Sequence, residues 1–185
     1  LLLVVAAVVE DARFQTLTNK LRELLIAAQD GTLEGKGLGT FKVRPLSAIC
    51  WGAAHCGLTT SSGDPMLSLV FKNVITHEED SPPGQNVSNL LWAYASMHNS
   101  RETNKELMKK LEYWCECIMD DFAAQGVSNS LWAFATLGHT LRPEVVSLFS
   151  KAIKKNMKDF KSMEFSNVVW AIATMKLELE DSTTE

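Results

Sequence analysis

The stretch SNLLWAYASM, residues 88–97, recurs as SNSLWAFATL at residues 128–137 and as SNVVWAIATM at residues 166–175. A fainter copy, SAICWGAAHC, occupies residues 47–56. Each copy carries one tryptophan, and Trp51, Trp92, Trp132 and Trp170 follow one another at a nearly constant interval. A period of about 40 residues is typical of supersecondary units that stack side by side, because one unit alone cannot bury its hydrophobic face.

Each tryptophan segment reads as a first helix, A, that is followed by a second helix, B. A proline opens two of the B helices, Pro65 after the capping residue Asp64 and Pro143 after Arg142, as suits a first helical turn. All three B helices carry an apolar stripe at helical spacing. The stripes are Leu67, Val70, Phe71 and Val74, then Leu107, Leu111, Trp114 and Ile118, then Val146, Phe149, Ile153 and Met157.

The sequence therefore predicts an all-α fold, an α-solenoid of repeated antiparallel helix pairs with about 38–41 residues in each repeat. We expect one array over residues 1–176 and an acidic tail at 177–185. The expected units are 1–40, which is diverged and lacks the tryptophan, then 41–81, 82–121, 122–160, and a partial unit at 161–176.

Composition limits the functions that the chain can carry. Its 185 residues are 46% hydrophobic and 22% charged, a balance typical of a folded core rather than of disorder. The net charge of -4 means that binding to phosphates would need a local basic patch. The apolar run LLLVVAAVV, residues 1–9, is about half as long as a membrane-spanning helix, so we expect no membrane span. The cysteines form no CxxC pair, and we expect reduced, packed thiols at Cys50, Cys56, Cys115 and Cys117.

Helix A has one narrow polar and aromatic stripe. At about 100° per residue, the serine, asparagine and tryptophan of each copy and a later Ser, Thr or His fall within one quadrant. The structural interpretation is that the asparagines Asn89, Asn129 and Asn167 bond to a neighbouring backbone and fix the register, and that the four tryptophans act as wedges between helix pairs. On that interpretation Ser88, Ser128 and Ser166 cap the helix starts.

The functional interpretation rests on positions in the same sector that differ between units. Such positions suit a modular reader, because Gln, Asn, Arg and Ser/Thr side chains make directed hydrogen bonds to base edges. The alternative is that they are ordinary solvated helix ends. The candidate RNA-binding residues of this kind are Arg44, His55, Gln85, Asn86, Ser96, Gln125 and Thr136; Pro45, Gly126, Met163, Glu164 and Thr174 occupy equivalent sites.

A set of lysines is the second candidate for RNA binding. On one continuous helix the five would fall within about 120° of one another and form a basic edge that could follow a phosphate backbone. The alternative is an exposed face that lysine keeps soluble. The residues are Lys151, Lys154, Lys155, Lys158 and Lys161.

Catalytic and metal-binding motifs are not legible in the sequence. GTLEGKG around Lys36 lacks the spacing and the Ser/Thr of a phosphate loop, and His55 with Cys50 and Cys56 is too sparse for a zinc site. No nucleophile is paired with a base. We therefore expect no enzyme activity, catalytic residues, metal, cofactor or small-molecule substrate.

The stretch QGVSNSLWAFATLG, residues 125–138, followed by Arg142-Pro143-Glu144, resembles the octotricopeptide repeat family. It is also similar to the heptatricopeptide and FAST-kinase-like, RAP-associated repeats of organellar proteins. The resemblance covers roughly residues 41–176. It implies an α-solenoid that is imported into a plastid or mitochondrion and binds organellar RNA, in support of transcript stability, processing, translation or ribosome assembly.

Two hypotheses follow for the function. The first is a non-catalytic organellar RNA-binding solenoid whose A helices line the RNA path, with transcript or ribosomal RNA as the partner. The alternative is a protein-protein scaffold subunit of a large organellar complex, which the net acidity and the unfinished last unit favour.

Overall fold

Helices account for most of the residues that a computed structural model describes, which are 10–32, 41–58, 65–78, 82–98 and 103–178. Within these ranges there are eight α-helices and no strand, so the all-α prediction is confirmed. A short 3₁₀ helix, Met119–Asp121, follows the fifth. The α-helices are α1 (Ala12–Gln29), α2 (Val43–His55), α3 (Pro65–Ile75), α4 (Gly84–Met97), α5 (Lys105–Ile118), α6 (Ala124–Thr136), α7 (Pro143–Lys155) and α8 (Ser162–Met175).

The helices contact one another in two rows. The A row contains the four helices with the repeated tryptophan, and α2 packs on α4, α4 on α6, and α6 on α8. The B row contains the other helices, and α1 packs on α3, α3 on α5, and α5 on α7. Each A helix except α8 also contacts the B helix that follows it. The result is a helical-repeat-like all-α fold.

The helix starts repeat with the same intervals as the tryptophans. The A helices begin at Val43, Gly84, Ala124 and Ser162. Each tryptophan is the ninth residue of its helix. Because the first helix keeps its register in every unit, the differences in unit length fall after the tryptophan.

The apolar stripes of the B helices form much of the core. All four predicted residues of α3 and all four of α5 are buried. The α7 stripe is only partly right, because Val146 is half-buried and Met157 is 49% exposed. The reason is that α7 ends at Lys155, before Met157, and that Val145 takes the buried position near its start. At roughly 25 cal/mol per Å² of apolar surface, these buried side chains are the main stabilising contribution.

The prediction that serines cap the A helices is wrong. Ser88, Ser128 and Ser166 are each the fifth residue of their helix, so they lie inside it. The Ser88 hydroxyl donates to the Gln85 carbonyl, and Ser166 donates to that of Ser162. Ser128 instead donates to the Glu164 carbonyl of α8 at 3.1 Å, so a serine supplies a hydrogen bond between units.

The helix α5 is capped by a side chain at its start and followed by a 3₁₀ turn at its end. It begins at Lys105, where the Asn104 side chain accepts a hydrogen bond from the Leu107 amide at 3.0 Å. It ends at Ile118, and the 3₁₀ turn leads on to α6. The capping residue expected for the first B helix, Asp64, lies outside the described residues, as do the apolar run 1–9 and most of the acidic tail.

A buried carboxylate joins α5 to the turn between α6 and α7. Glu112 is 4% exposed, and its Oε2 lies 2.9 Å from His139 Nε2. Its Oε1 accepts a hydrogen bond from the Arg142 backbone amide at 2.9 Å. A buried charge needs such partners, because leaving it unpaired costs several kcal/mol. Glu112 therefore holds the residue that immediately precedes α7.

Two of the four cysteines are packed as expected. Burial raises the pKa of the Cys50 thiol to about 12 and also holds the pKa of Cys115 well above its usual range. Cys56 is half-buried, and Cys117 is exposed, contrary to expectation, because it lies on the side of α5 away from the core. Among the described helices, none is long and apolar enough to cross a membrane.

Candidate functional site

Four positions of every A helix lie on one exposed or half-exposed face. They are the second, sixth, ninth and thirteenth residues of the helix, a spacing that keeps them on one side. We call this surface the A face. Its rows are Arg44, Gln85, Gln125 and Met163; Ala48, Asn89, Asn129 and Asn167; Trp51, Trp92, Trp132 and Trp170; and His55, Ser96, Thr136 and Thr174.

The tryptophans are all partly exposed. Trp51 and Trp170 are each 46% exposed, while Trp92 and Trp132 are half-buried and pack against the hydrophobic core. That the four rings act as wedges between helix pairs stays a prediction. The fully enclosed tryptophan is Trp114 of α5.

An aromatic stack crosses the boundary between the first two A helices. The His55 ring centroid lies 3.8 Å from that of Trp51 and 5.1 Å from that of Trp92, with interplanar angles of 33° and 37°. His55 Nδ1 lies 2.9 Å from the Trp51 carbonyl oxygen, which fixes the ring. This end of the A face is therefore a continuous aromatic surface.

The repeated asparagines leave their amides open toward the A face. Asn89, Asn129 and Asn167 are half-buried, and within the described part of the chain no side-chain hydrogen bond engages them. The bond between neighbouring units that we expected of the asparagines is made by Ser128 instead. Their amide groups are thus free to meet a ligand.

The third helix position does not behave as one reading site. Pro45 is exposed and Glu164 is half-buried, whereas Gly126 is buried against the Phe122 ring. Asn86 is half-buried, and its Nδ2 is enclosed without a hydrogen-bond partner. The third position turns toward the neighbouring helix, so Asn86 lies at the edge of the A face rather than on it.

The five lysines are all exposed, but the prediction of a single helical edge is wrong. The helix α7 ends at Lys155, where the Asn156 amide bonds back to the Ala152 carbonyl and across to that of Phe122. Lys158 therefore lies in a turn, and Lys161 immediately precedes α8. Lys155 Nζ donates to the Asp120 carbonyl at 2.7 Å. Three lysines thus lie near the starts of the A helices, while Lys151 and Lys154 remain on the B row.

The turns that lead into α6 and α8 share a dipeptide that the repeat pattern did not single out. Asp121-Phe122 and Asp159-Phe160 stand at the same distance before their helices. Phe122 is buried and Asp121 is exposed. Extending the alignment of the copies to seven residues before the serine would have found this pair.

Among the described residues, no group of three His, Cys, Asp or Glu side chains is arranged to hold a metal ion. His55 is stacked between two indoles, whereas Cys50 is fully buried.

A comparison with protein-family models gives no match for this sequence, and neither does a comparison with curated proteins.

Proposed function

We propose that the chain is a non-catalytic RNA-binding protein, an α-solenoid of repeated antiparallel helix pairs that holds single-stranded RNA across its A face. One observation carries the proposal: four partly exposed tryptophans occupy the same helix position on successive contacting helices. Exposed aromatic rings in a row are the usual platform for unstacked bases, and each stacked base contributes about 1–3 kcal/mol.

Polar groups beside each indole suit a base edge. Carboxamides of Gln85, Gln125 and the repeated asparagines can both donate and accept hydrogen bonds. Helices in contact lie about 8–10 Å apart, so one base for each A helix is the natural spacing. The strand would then run across the helices, along the row of tryptophans.

Phosphates would find positive charge at one border of the A face. Lys155, Lys158 and Lys161 lie near the starts of the A helices, although Asp120 and Asp121 are close to the first of them. The net charge of -4 limits this contribution. We therefore expect a shallow salt dependence, with only a few phosphates neutralised.

The resemblance to octotricopeptide repeats extends the proposal to the cellular compartment and to the kind of RNA that is bound. We propose that the protein works in a mitochondrion or plastid on a transcript or ribosomal RNA, where it supports stability, processing, translation or ribosome assembly. Four A helices alone would bind modestly, so participation in a larger assembly is part of this proposal.

The test is fluorescence anisotropy with labelled single-stranded oligonucleotides at low salt. Replacing both Trp51 and Trp170 with alanine should weaken binding at least tenfold, because the two most exposed indoles of the A face are lost. The matched control is Tyr113→Ala, which removes a 41% exposed aromatic ring from the B row and should leave the affinity unchanged. Equal affinity for the double variant and the wild type would contradict the proposal.

A protein-protein scaffold is the second candidate, and α8 is the observation that favours it. Met163 is 72% exposed, and Phe165 and Val169 are each 50% exposed, so an apolar side of the helix is open. The groove between α1 and α2, of about 200 Å³, is also lined mainly by apolar side chains. Failure of every oligonucleotide to bind at low salt would favour this function over the first.

A further inference from the structure

A pocket of about 370 Å³ with a mixed polar and apolar lining lies between the first halves of α4 and α6, on the A face. The residues that line it include three with carboxamides and one with a carboxylate. Gln85 and Asn89 come from α4, Gln125 comes from α6, and Asp121 comes from the turn before α6. Two adjacent units thus contribute polar groups to one concave site.

The pocket depends on glycine at the contact between the units. The Phe122 ring lies so close to α4 and α6 that a Cβ atom on Gly84 would come within 2.8 Å of its Cδ1, and one on Gly126 within 3.1 Å. At the next boundary the residues aligned with Gln125 and Gly126 are Met163 and Glu164. The same combination of groups is therefore not repeated there.

The lining chemistry favours a ligand rich in N–H donors over an anion. None of the described residues that line the pocket is lysine or arginine, so a phosphate would find no positive side chain there. The Asp121 carboxylate can only accept hydrogen bonds when ionised, and it is best matched by two adjacent donors. Among the RNA bases, guanine presents such a pair on its Watson–Crick edge, at N1–H and N2–H.

We propose that this pocket binds the base of one guanosine in single-stranded RNA, with the Asp121 carboxylate accepting from guanine N1–H and N2–H. In this arrangement the carboxamides of Gln85 and Gln125, which line the same pocket, donate to the base oxygen or a ring nitrogen. The phosphates flanking this guanosine stay outside, toward Lys155 and Lys158. This inference rests on the proposed RNA-binding function and assigns base specificity to one boundary between units.

The experiment compares an oligouridine with the same oligouridine carrying one central guanosine, by fluorescence anisotropy on the full chain. The wild type should bind the guanosine-containing strand about tenfold more tightly. Replacing guanosine with inosine removes the N2 amine and should abolish most of this preference. Asp121→Asn should also abolish most of the preference, measured as the ratio of the two affinities, because one of the two acceptor oxygens becomes an NH2 group that would face a guanine donor. Asp120→Asn is the matched control, since that neighbour is exposed but does not line the pocket, and it should keep the preference.

The outcomes separate this inference from the proposed function. If the wild type binds both strands equally well, RNA binding stands and the guanosine site is overturned. The site is also overturned if Asp121→Asn retains the full preference. If neither strand binds, the RNA-binding function fails together with the site, and a protein side chain such as arginine becomes the better ligand for the carboxylate.

Discussion

Phe122 shows how single residues set the spacing between units. Its buried ring fills the space that side chains at Gly84 and Gly126 would otherwise take. Because Gly84 belongs to the preceding unit and lies far from Phe122 along the chain, the repeat pattern gave no sign of this contact. Periodicity shows which residues share a face, but it does not show which small residue a neighbouring unit requires.

Gly84→Ala should therefore destabilise the fold by about 1–3 kcal/mol, because the new Cβ would lie 2.8 Å from Cδ1 of the buried Phe122 ring and force it to shift. The matched control is Gly52→Ala within α2, where nothing lies within 4 Å of the added Cβ. That change should stabilise the fold by roughly 0.5–1 kcal/mol through better helix propensity. Urea unfolding followed by circular dichroism measures both. Similar effects of the two substitutions would show that Phe122 does not restrict the spacing.

Helix register was predictable from the sequence, whereas helix ends were not. The spacing of the tryptophans in the sequence is also the spacing of the observed A-helix starts. The serines, however, lie one turn inside their helices, and α7 ends where Asn156 bonds to Phe122 of the preceding turn. That end depends on a partner 34 residues away, so the local pattern of lysines was compatible with a longer helix.

The contacts of Glu112 predict how strongly α5 stabilises the turn between α6 and α7. Glu112→Ala should cost about 3 kcal/mol of unfolding free energy, because it strips His139 and the Arg142 amide of a buried partner. Glu116→Ala, one turn later on α5, removes a half-buried partner of the exposed Arg142 side chain and should cost no more than about 1 kcal/mol. Urea unfolding curves compare the two variants. Equal small losses would mean that the buried carboxylate does not hold the α6–α7 turn.

At the scale of the molecule, and among the residues that the structure describes, the middle helices are more deeply buried than α1 and α8. Nine residues of α4 are buried, whereas α1 and α8 each bury two. A repeat-like fold is stabilised by contacts between nearest neighbours, so a helix with one neighbour in its row opens more easily.

Amide hydrogen exchange should follow this order. The backbone amides of α4 and α6 should exchange much more slowly than those of α8, in native conditions and with peptide-level mass spectrometry as the readout. The comparison of α6 with α8 is internally matched, because both carry the same SNxxWAxAT segment. Uniform exchange across the A row would show instead that the chain opens as one cooperative unit.

The candidate site was predictable in outline. The helical period placed the glutamines, repeated asparagines and tryptophans of α4 and α6 on one surface with Ser96 and Thr136, and they do lie there. Three features were not foreseen from the sequence. They are the partial burial of the indoles, the division of the lysines between a helix and a turn, and the presence of Asp121 in the lining of the pocket. All three depend on how turns from one unit meet helices of the next, and a pattern within one unit carries no information about that.

The contrast between Trp114 and the other four tryptophans gives the protein a built-in optical reporter. Trp114 is sealed in the interior, whereas Trp51, Trp92, Trp132 and Trp170 meet solvent along a single surface. A soluble quencher such as acrylamide would reduce the fluorescence of those four tryptophans and leave the fluorescence of Trp114 unchanged. A ligand bound to that surface would protect the four tryptophans from the quencher. Ligand binding can therefore be followed by intrinsic fluorescence without an attached dye.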